Sequence, residues 1–260
     1  MIDPAAPRID RSGVAQQCFE TAAGAAGMDP GDRWADGYAA YEWDHLRPAL
    51  VAYAIDVRGR DVLEFGCNVG GSAVVLAALG ARLGGVDVDP VMPPIAEANL
   101  ARHGLGGDIR LVKANGGLPF ADAAFDLILA NSVLEYVAPV DLDRTLGELH
   151  RVLRPGGRLF ICGTASRLAL RERHSGRWLV NMRPRAVKPD LQRGLAPWSL
   201  AAALSGRFGV AGEGRAWLAA RRAIHGSIAL PVRAYALLGA SLGRSPGWFA
   251  PTIELLLQKR

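Results

Sequence analysis

The sequence predicts an α/β fold built on a mainly parallel sheet. Between residues 60 and 162, short apolar runs alternate with segments of helical periodicity, and such alternation is typical of strand–helix–strand units with right-handed crossovers. The first run, Asp61–Phe65, leads directly into a glycine-rich turn at residues 66–71. A strand, a tight turn and a helix in this order present backbone N–H groups to a nucleotide-like ligand.

The rest of this region continues the alternation. After the first strand we expect helix 72–79, strand 81–86, helix 93–103, strand 109–113, strand 125–130, helix 142–153 and strand 158–162. The run 125–130 is nearly all apolar, which is typical of a strand buried on both faces. We expect Gly104 to end the helix at 93–103 and the Pro155-Gly156-Gly157 sequence to end the helix at 142–153.

Outside this region the pattern is weaker. Residues 1–30 are rich in Ala, Gly and Pro, and we expect their first part to be loosely packed. An aromatic cluster around Trp34, Tyr38, Tyr41 and Trp43 precedes a predicted helix at 46–55. The cluster either covers a ligand as a lid or packs a helix on the sheet. After Cys162 we expect a helix at 198–204 and strands at 208–210 and 252–258. A long apolar, basic segment at 216–242 is broken by Gly226, Pro231 and Gly239.

Charge divides the chain into two halves. Residues 1–150 contain 11 Lys and Arg against 21 Asp and Glu, whereas residues 151–260 contain 19 against 4. The basic half suggests either an anionic substrate or surface, or simply a solvated arginine-rich face. Three widely spaced cysteines form neither a disulfide framework nor a zinc site, and no apolar run is long enough to span a bilayer. We therefore expect a cytoplasmic protein without a metal site.

Two carboxylates accompany the glycine turn. Glu64 precedes it, and Asp87 follows Gly66 by 21 positions at the end of the second predicted strand. An interval of about 20 residues is typical between a glycine turn and an acid that binds ribose hydroxyls. A carboxylate suits that role because it offers two acceptor oxygens. Asp89 is the alternative ribose acid by sequence proximity.

Several segments together resemble one family. Glu64-x-Gly66-x-Asn68-x-Gly70 resembles the E-x-G-x-G-x-G turn of class I, Rossmann-like S-adenosylmethionine-dependent methyltransferases of the small-molecule, methyltransferase-11-like type. The segments 118–128, 131–137 and 148–157 resemble later parts of the same family in the same order. The resemblance implies a three-layer sandwich with a seven-stranded, mainly parallel sheet. Its last strand would be antiparallel, and the segment 216–242 would be a helical cap inserted before that strand.

The resemblance also implies S-adenosyl-L-methionine as the cofactor and assigns residues to it. The assigned cofactor residues are Glu64, Gly66, Asn68, Gly70, Asp87, Val88, Asn115, Gly116, Asn131 and Ser132. Two of these depart from the family pattern. Asn68 replaces the middle glycine, but Asn is the non-glycine residue best able to hold a positive φ. Asn115 stands where an acid often accepts from the adenine amino group.

Methyl transfer from a sulfonium is an in-line displacement. The enzyme must hold the nucleophile, the methyl carbon and the sulfur in line, and it sometimes removes a proton. Our candidate catalytic residues are His174 and Glu172, just after the fifth strand, although His174 is alternatively an ordinary surface histidine. Glu135, Tyr136 and Trp43 are the candidate substrate residues. No metal is required.

We divide the chain into three regions: an N-terminal extension and aromatic lid at 1–45, a cofactor-binding core at 46–165, and a basic acceptor and cap region at 166–260. The expected partner is a small or lipid-linked, anionic acceptor. The segment 216–242 either caps the acceptor pocket or contacts a membrane surface. The alternatives are a non-catalytic or membrane-surface protein with this fold and an NAD(P)-dependent oxidoreductase. Nucleic acid is not favoured, because no N-P-P-Y-type tetrapeptide follows the fourth strand.

Overall fold

The computed structural model describes residues 5–114, 116–172, 175–182, 194–211 and 214–260. Its helices are α1 (Val14–Ala25), α2 (Tyr38–Ala52), α3 (Gly71–Ala78), α4 (Met92–Arg102), α5 (Leu142–Val152), α6 (Pro197–Leu204), α7 (Gly214–His225) and α8 (Leu230–Ser241). Its strands are β1 (Asp61–Phe65), β2 (Arg82–Asp87), β3 (Asp108–Leu111), β4 (Phe125–Asn131), β5 (Leu153–Ala165), β6 (Phe208–Val210) and β7 (Thr252–Lys259). Short 3-10 turns lie at Leu134–Tyr136, Val180–Met182 and Pro246–Trp248.

The strands form one seven-stranded sheet in the order β3-β2-β1-β4-β5-β7-β6. Neighbouring strands from β3 to β5 pair in parallel, whereas β7 runs antiparallel to both β5 and β6. The fold class predicted from the sequence is therefore confirmed, including the antiparallel last strand. Strand order reverses direction at β1, so β1 and β4 flank the crevice where doubly wound sheets bind ligands.

Apolar side chains cover both faces of the sheet. Successive residues of β1 point to opposite faces of the sheet and join different hydrophobic cores. Val62 belongs to the core that includes residues of α2, α3 and α7, whereas Leu63 belongs to the core that includes residues of α5 and α6. Both residues are fully buried, as expected for a strand covered on both faces. Helix α5 presents a narrow apolar stripe to the second core, with Leu146 and Leu149 fully buried.

The N-terminal region is more ordered than the sequence suggests. Helix α1 packs against α4, and Phe19 is fully buried there under the guanidinium of Arg102, which lies 3.6 Å from the ring centre. Arg102 is itself fully buried and forms an ion pair with Asp36 at 2.7 Å. Loose packing was therefore a wrong prediction for residues 14–25, because their one large apolar side chain found a partner far along the chain.

The C-terminal region agrees with one prediction, the break at Gly226, and departs from another. The long segment 216–242 is two helices, α7 and α8, separated near Gly226, which has a φ of +72°. Helix α7 packs against α2 and buries Trp217 and Ala220, whereas α8 buries only Gly239. Strand β5 is longer than expected because it continues through the Pro155-Gly156-Gly157 turn. No helix in the described ranges is long and apolar enough to cross a membrane.

Candidate active site

The glycine turn after β1 has the backbone that its sequence predicts. Gly66 has a φ of +79°, and a Cβ at that position would lie 2.3 Å from Cγ2 of Val133. A side chain at residue 66 is therefore excluded by both conformation and space. Asn68 has a φ of +48°, so the prediction that asparagine keeps the left-handed conformation of the missing glycine is confirmed. Its Oδ1 accepts a hydrogen bond from the Val69 N–H at 2.7 Å.

Asp87, at the end of β2, connects that strand to the glycine turn. Its carboxylate accepts hydrogen bonds from the Asn68 N–H at 2.8 Å and from the Asp89 N–H at 3.0 Å. Each carboxylate oxygen retains a further lone pair, so two ribose hydroxyls still find acceptors. Asp89 instead accepts from the Val91 N–H next to α4, and Val88 is exposed. The geometry thus favours Asp87 over Asp89 as the ribose acid.

Glu64 is a buried carboxylate with unused acceptor capacity. Its side chain is 3% exposed, and Oε2 has no hydrogen-bond partner among the described residues. Burial raises its pKa well above the ordinary value, the Glu42 and Asp87 carboxylates add to this, and a hydrogen bond with the Ser72 hydroxyl opposes it. A buried acceptor without a donor is costly. An ammonium group beside Glu64 would supply that donor, so this residue fits a cofactor that carries an amino acid group.

A polar chain continues from Glu64 across the crevice. The Asn131 side-chain amide at the end of β4 donates to the Ser72 hydroxyl at 3.0 Å. Ser132, with a φ of +52°, donates to the Gly163 carbonyl oxygen at 3.1 Å. A Cβ at Gly163 would lie 2.4 Å from the side-chain oxygens of both Asn131 and Ser132. Gly163 is therefore a site residue that the motifs did not single out, since only the fold brings β5 against the end of β4.

We use the name cofactor edge for Glu64, the turn 66–71, Asp87, Asn131 and Ser132. The structure brings these sequence-predicted residues together at the carboxyl ends of β1, β2 and β4. Gly116 lies in an exposed turn, where its N–H donates to the Lys113 carbonyl oxygen. Two predicted residues, Asn115 and His174, lie outside the described residues.

The remaining candidates occupy varied surroundings. Glu172 is 2% exposed, and its carboxylate accepts from the Ser175 N–H at 2.6 Å. Glu135 accepts from the Ala165 N–H at 3.0 Å and so joins the turn after β4 to β5. Tyr136 is half-exposed. Trp43 is buried in the core beside Arg47 and is not among the residues that line the cavity described next.

A cavity of about 200 Å³ adjoins the cofactor edge, between α2 and α7. We call it the α2–α7 cavity. It is lined by Tyr41, Glu42, His45, Leu46, Ala49, Asn131, Cys162, Gly163, Arg221, Ile224, His225, Thr252 and Glu254. Asn131 belongs to both the cavity and the cofactor edge, and Gly163 accepts a hydrogen bond from Ser132. The cavity therefore opens beside the polar chain that starts at Glu64. Sequence reasoning missed its histidines and Arg221, because helices α2 and α7 are 160 residues apart and no local motif connects them.

A buried ion pair forms part of the cavity wall. Arg221 of α7 pairs with Glu254 of β7, whose side chain is 4% exposed. Burial raises the pKa of Glu254, whereas Arg221 and the Tyr53 hydroxyl oppose that rise. The same surroundings raise the pKa of Tyr53, mainly through its burial. The Nε–H of Arg221 has no partner among the described residues, so one buried donor of the pair is unused.

Comparison with known proteins locates the family resemblance in the core of the sheet. Residues 63–161 match the model of a family described as a methyltransferase domain. That range begins in β1, ends in β5, and contains the whole cofactor edge.

Individual relatives match the same part of the chain. Demethylmenaquinone methyltransferase of Tropheryma whipplei is 38% identical over 118 residues, which cover 45% of this chain and 47% of the relative. Sterol 4-C-methyltransferase strm-1 of Caenorhabditis elegans is 34% identical over 100 residues, which cover 38% of this chain and 29% of the relative. The matched region spans less than half the length of these relatives.

The crystal structure of an S-adenosylmethionine-dependent methyltransferase from Mesorhizobium loti has the same fold. It superposes with a TM-score of 0.53 at 20% identity and covers 82% of this chain and 96% of its own. At 20% sequence identity, the similarity shows a shared fold and nothing more. It extends beyond the matched domain to most of the chain.

Proposed function

We propose that this chain is a class I, Rossmann-like S-adenosylmethionine-dependent methyltransferase that transfers the cofactor's methyl group to a small acceptor. The match of residues 63–161 to a methyltransferase domain supports the proposal. The observation that carries the proposal is the buried Glu64 carboxylate, whose Oε2 lacks a donor beside the glycine turn. A nicotinamide dinucleotide, the alternative ligand of such a turn, has no amino acid group to fill that position. The order of the family segments through β5 supports the same choice.

Each residue of the cofactor edge has a role in this proposal. Glu64 accepts from the cofactor's ammonium group, Asp87 accepts from the ribose hydroxyls, and Asn68 keeps the turn open to the ligand. Asn131 and Ser132 border the methionine half. When bound, S-adenosylmethionine supplies an electrophilic sulfonium methyl group for in-line displacement. The protein holds the acceptor in line with that group and excludes water from it. Glu172 and His174 remain candidates for proton transfer.

Calorimetric titration with S-adenosylhomocysteine, the demethylated product, tests the proposal. We expect sub-millimolar binding to the wild type and about tenfold weaker binding to Asp87→Asn, because a neutral amide accepts more weakly from the ribose hydroxyls. Asp89→Asn is the matched control, since that carboxylate faces α4. An absence of binding to the wild type, or equal losses in the two variants, contradicts the assignment.

The acceptor's finer class is also part of the proposal: a small anionic or lipid-linked molecule, presented by a protein that works in the cytoplasm at a membrane surface. The support comes from α8, whose Leu230 and Leu237 are 79% and 72% exposed on one helix face. Arg233 and Arg244 are exposed nearby. Exposed leucines beside cations suit an anionic lipid surface.

Vesicle sedimentation tests the lipid-linked class. We expect the wild type to bind phosphatidylcholine vesicles only when they contain phosphatidylglycerol, and Leu230→Glu/Leu237→Glu to lose that binding. Val140→Glu is the matched control, because Val140 is 86% exposed and far along the chain from α8. Equal binding by the double variant and the wild type would contradict a membrane role for α8, and an absence of wild-type binding would contradict the lipid-linked class.

A further inference from the structure

His45 lines the α2–α7 cavity in a fixed tautomer. Its Nδ1 lies 2.6 Å from the Tyr41 carbonyl oxygen, one helical turn earlier. A carbonyl oxygen only accepts hydrogen bonds, so Nδ1 must carry the proton. The neutral ring therefore has its lone pair on Nε2, where it is available as a base. The ring of Tyr41 stacks on the imidazole at a centroid distance of 3.9 Å and restrains its orientation.

Arg221 of α7 lines the same cavity. Its guanidinium pairs with Glu254, and a guanidinium carries further N–H donors that suit a ligand oxygen. The cavity thus combines a neutral base on α2 with a donor on α7, and it adjoins the cofactor edge at Asn131.

The size and lining of the cavity limit what it takes. A cavity of about 150 Å³ holds one benzene molecule, and this one measures about 200 Å³. Tyr41, Leu46, Ala49 and Ile224 supply an apolar and aromatic wall. The occupant that fits is a single ring with a hydroxyl and a second oxygen.

We propose that the α2–α7 cavity is the acceptor site, that it takes a ring-sized hydroxyl compound, and that Nε2 of His45 removes the hydroxyl proton. This inference rests on the proposed methyl transfer. The hydroxyl oxygen forms its bond to the methyl carbon as the sulfur–methyl bond breaks, and the sulfur keeps that bond's electron pair. The proton goes to Nε2, so the positive charge lost from the sulfonium appears on the imidazolium.

Other titratable groups line the cavity with His45: Tyr41 and Glu42 from α2, Arg221 and His225 from α7, Cys162 from β5 and Glu254 from β7. Burial, Arg221 and His45 all lower the pKa of His225. Of the two histidines that line the cavity, His45 is the one whose Nδ1 lies against the Tyr41 carbonyl oxygen.

The probe that tests the inference is 4-nitrophenol, which has one ring, one hydroxyl and nitro oxygens for Arg221. Its phenolate is yellow, so proton transfer is visible by absorbance. With saturating S-adenosylhomocysteine, and one pH unit below the probe's solution pKa, we expect binding to the wild type to raise the phenolate fraction several-fold. His45→Gln should abolish the rise and weaken binding roughly tenfold, the loss expected for one hydrogen bond to a charged partner.

His103→Gln is the matched control. The Nδ1 of His103 lies 2.7 Å from the Asn99 carbonyl oxygen in the same one-turn geometry, but His103 does not line the cavity. This variant should behave as the wild type. The inference is wrong if bound 4-nitrophenol shows no extra phenolate, if His45→Gln keeps the rise, or if His103→Gln loses it equally.

Calorimetry with S-adenosylhomocysteine separates this inference from the proposed function. His45→Gln should bind the product as the wild type does, which also confirms that the variant is folded. Failure of the wild type to bind it overturns the proposed function and the inference together. Normal product binding without a nitrophenol response overturns the inference alone.

Discussion

The cofactor edge and the α2–α7 cavity are neighbours built in different ways. At the cofactor edge, strand ends and a glycine turn set the geometry, and the main charges are the carboxylates Glu64 and Asp87. In the cavity, side chains from two helices and β7 set the geometry, and a cation is paired with a carboxylate. The first depends on backbone conformation at the ends of β1, β2 and β4, whereas the second depends on contact between α2 and α7. Substitutions in one place should therefore leave the other largely intact.

The largest expected effect comes from breaking the ion pair of the cavity. Arg221→Met leaves Glu254 buried without its cation, which should lower the free energy of unfolding by about 3–5 kcal/mol. Chemical denaturation measures the loss. Arg222→Met, at an exposed neighbour, should cost little. The double variant Arg221→Met/Glu254→Leu should recover most of the stability, because no buried charge remains.

That loss should also depend on pH. Without Arg221, the pKa of Glu254 rises further, so the folded protein holds a proton that the unfolded chain releases. Stability then falls as the pH rises from the ordinary glutamate pKa toward the raised value. Affinity for S-adenosylhomocysteine, measured where the variant is folded, should not change. A large loss of that affinity would mean that the two regions are coupled.

The second-largest effect is expected from a substitution at the cofactor edge, which should weaken product binding and leave the cavity unchanged. Glu64→Gln replaces a carboxylate by a neutral amide, which accepts more weakly from an ammonium group because the ion pair is lost. We expect roughly 10- to 100-fold weaker binding of S-adenosylhomocysteine, since bonds to charged groups contribute about 1.5–3 kcal/mol. Calorimetry measures it, and 4-nitrophenol binding reports whether the cavity survives. Unchanged product affinity would remove Glu64 from the cofactor site.

Glu64 strengthens cofactor binding in this proposal, but in the ligand-free protein its buried carboxyl group should lower stability as the pH rises. Its pKa lies well above 4.5 in the folded state, so the folded protein binds more protons than the unfolded chain between the two values. The wild type therefore loses stability as the pH rises through that window, by at most about 1.4 kcal/mol per pH unit from this group. Glu64→Gln should remove that slope. Parallel denaturation curves for both proteins across the window would contradict the assignment.

The smallest effect concerns the glycine turn itself. Asn68→Gly should change stability by about 0.5 kcal/mol or less, because glycine relieves the left-handed backbone but loses the hydrogen bond to Val69. Asn68→Ala should cost about 1 kcal/mol, since alanine loses that bond and tolerates a positive φ less well. Thermal unfolding measures both. An equal loss for glycine and alanine would mean that the side-chain hydrogen bond, and not the left-handed backbone, dominates at this position.

Sequence patterns predicted the elements of the sheet well where chain neighbours determine them. The strand at Asp61–Phe65 and the strand at Phe208–Val210 have their predicted bounds, and the left-handed Asn68 follows from its place in the turn. Predictions were weaker where burial depends on distant partners. Helix α1 was missed because Phe19 is buried by Arg102, and Trp43 was grouped with ligand-facing aromatics although it packs in the core.

The sequence by itself determined the fold class and the resemblance to a methyltransferase family, because these depend on apolar periodicity and on a turn and carboxylates at fixed short spacing. Only the tertiary structure decided that Gly163 must be glycine, that Glu64 is buried with an unused oxygen, and that His45 and Arg221 share one cavity. Such relations join residues far apart in the chain, and burial and close approach arise only when helices and strands pack together.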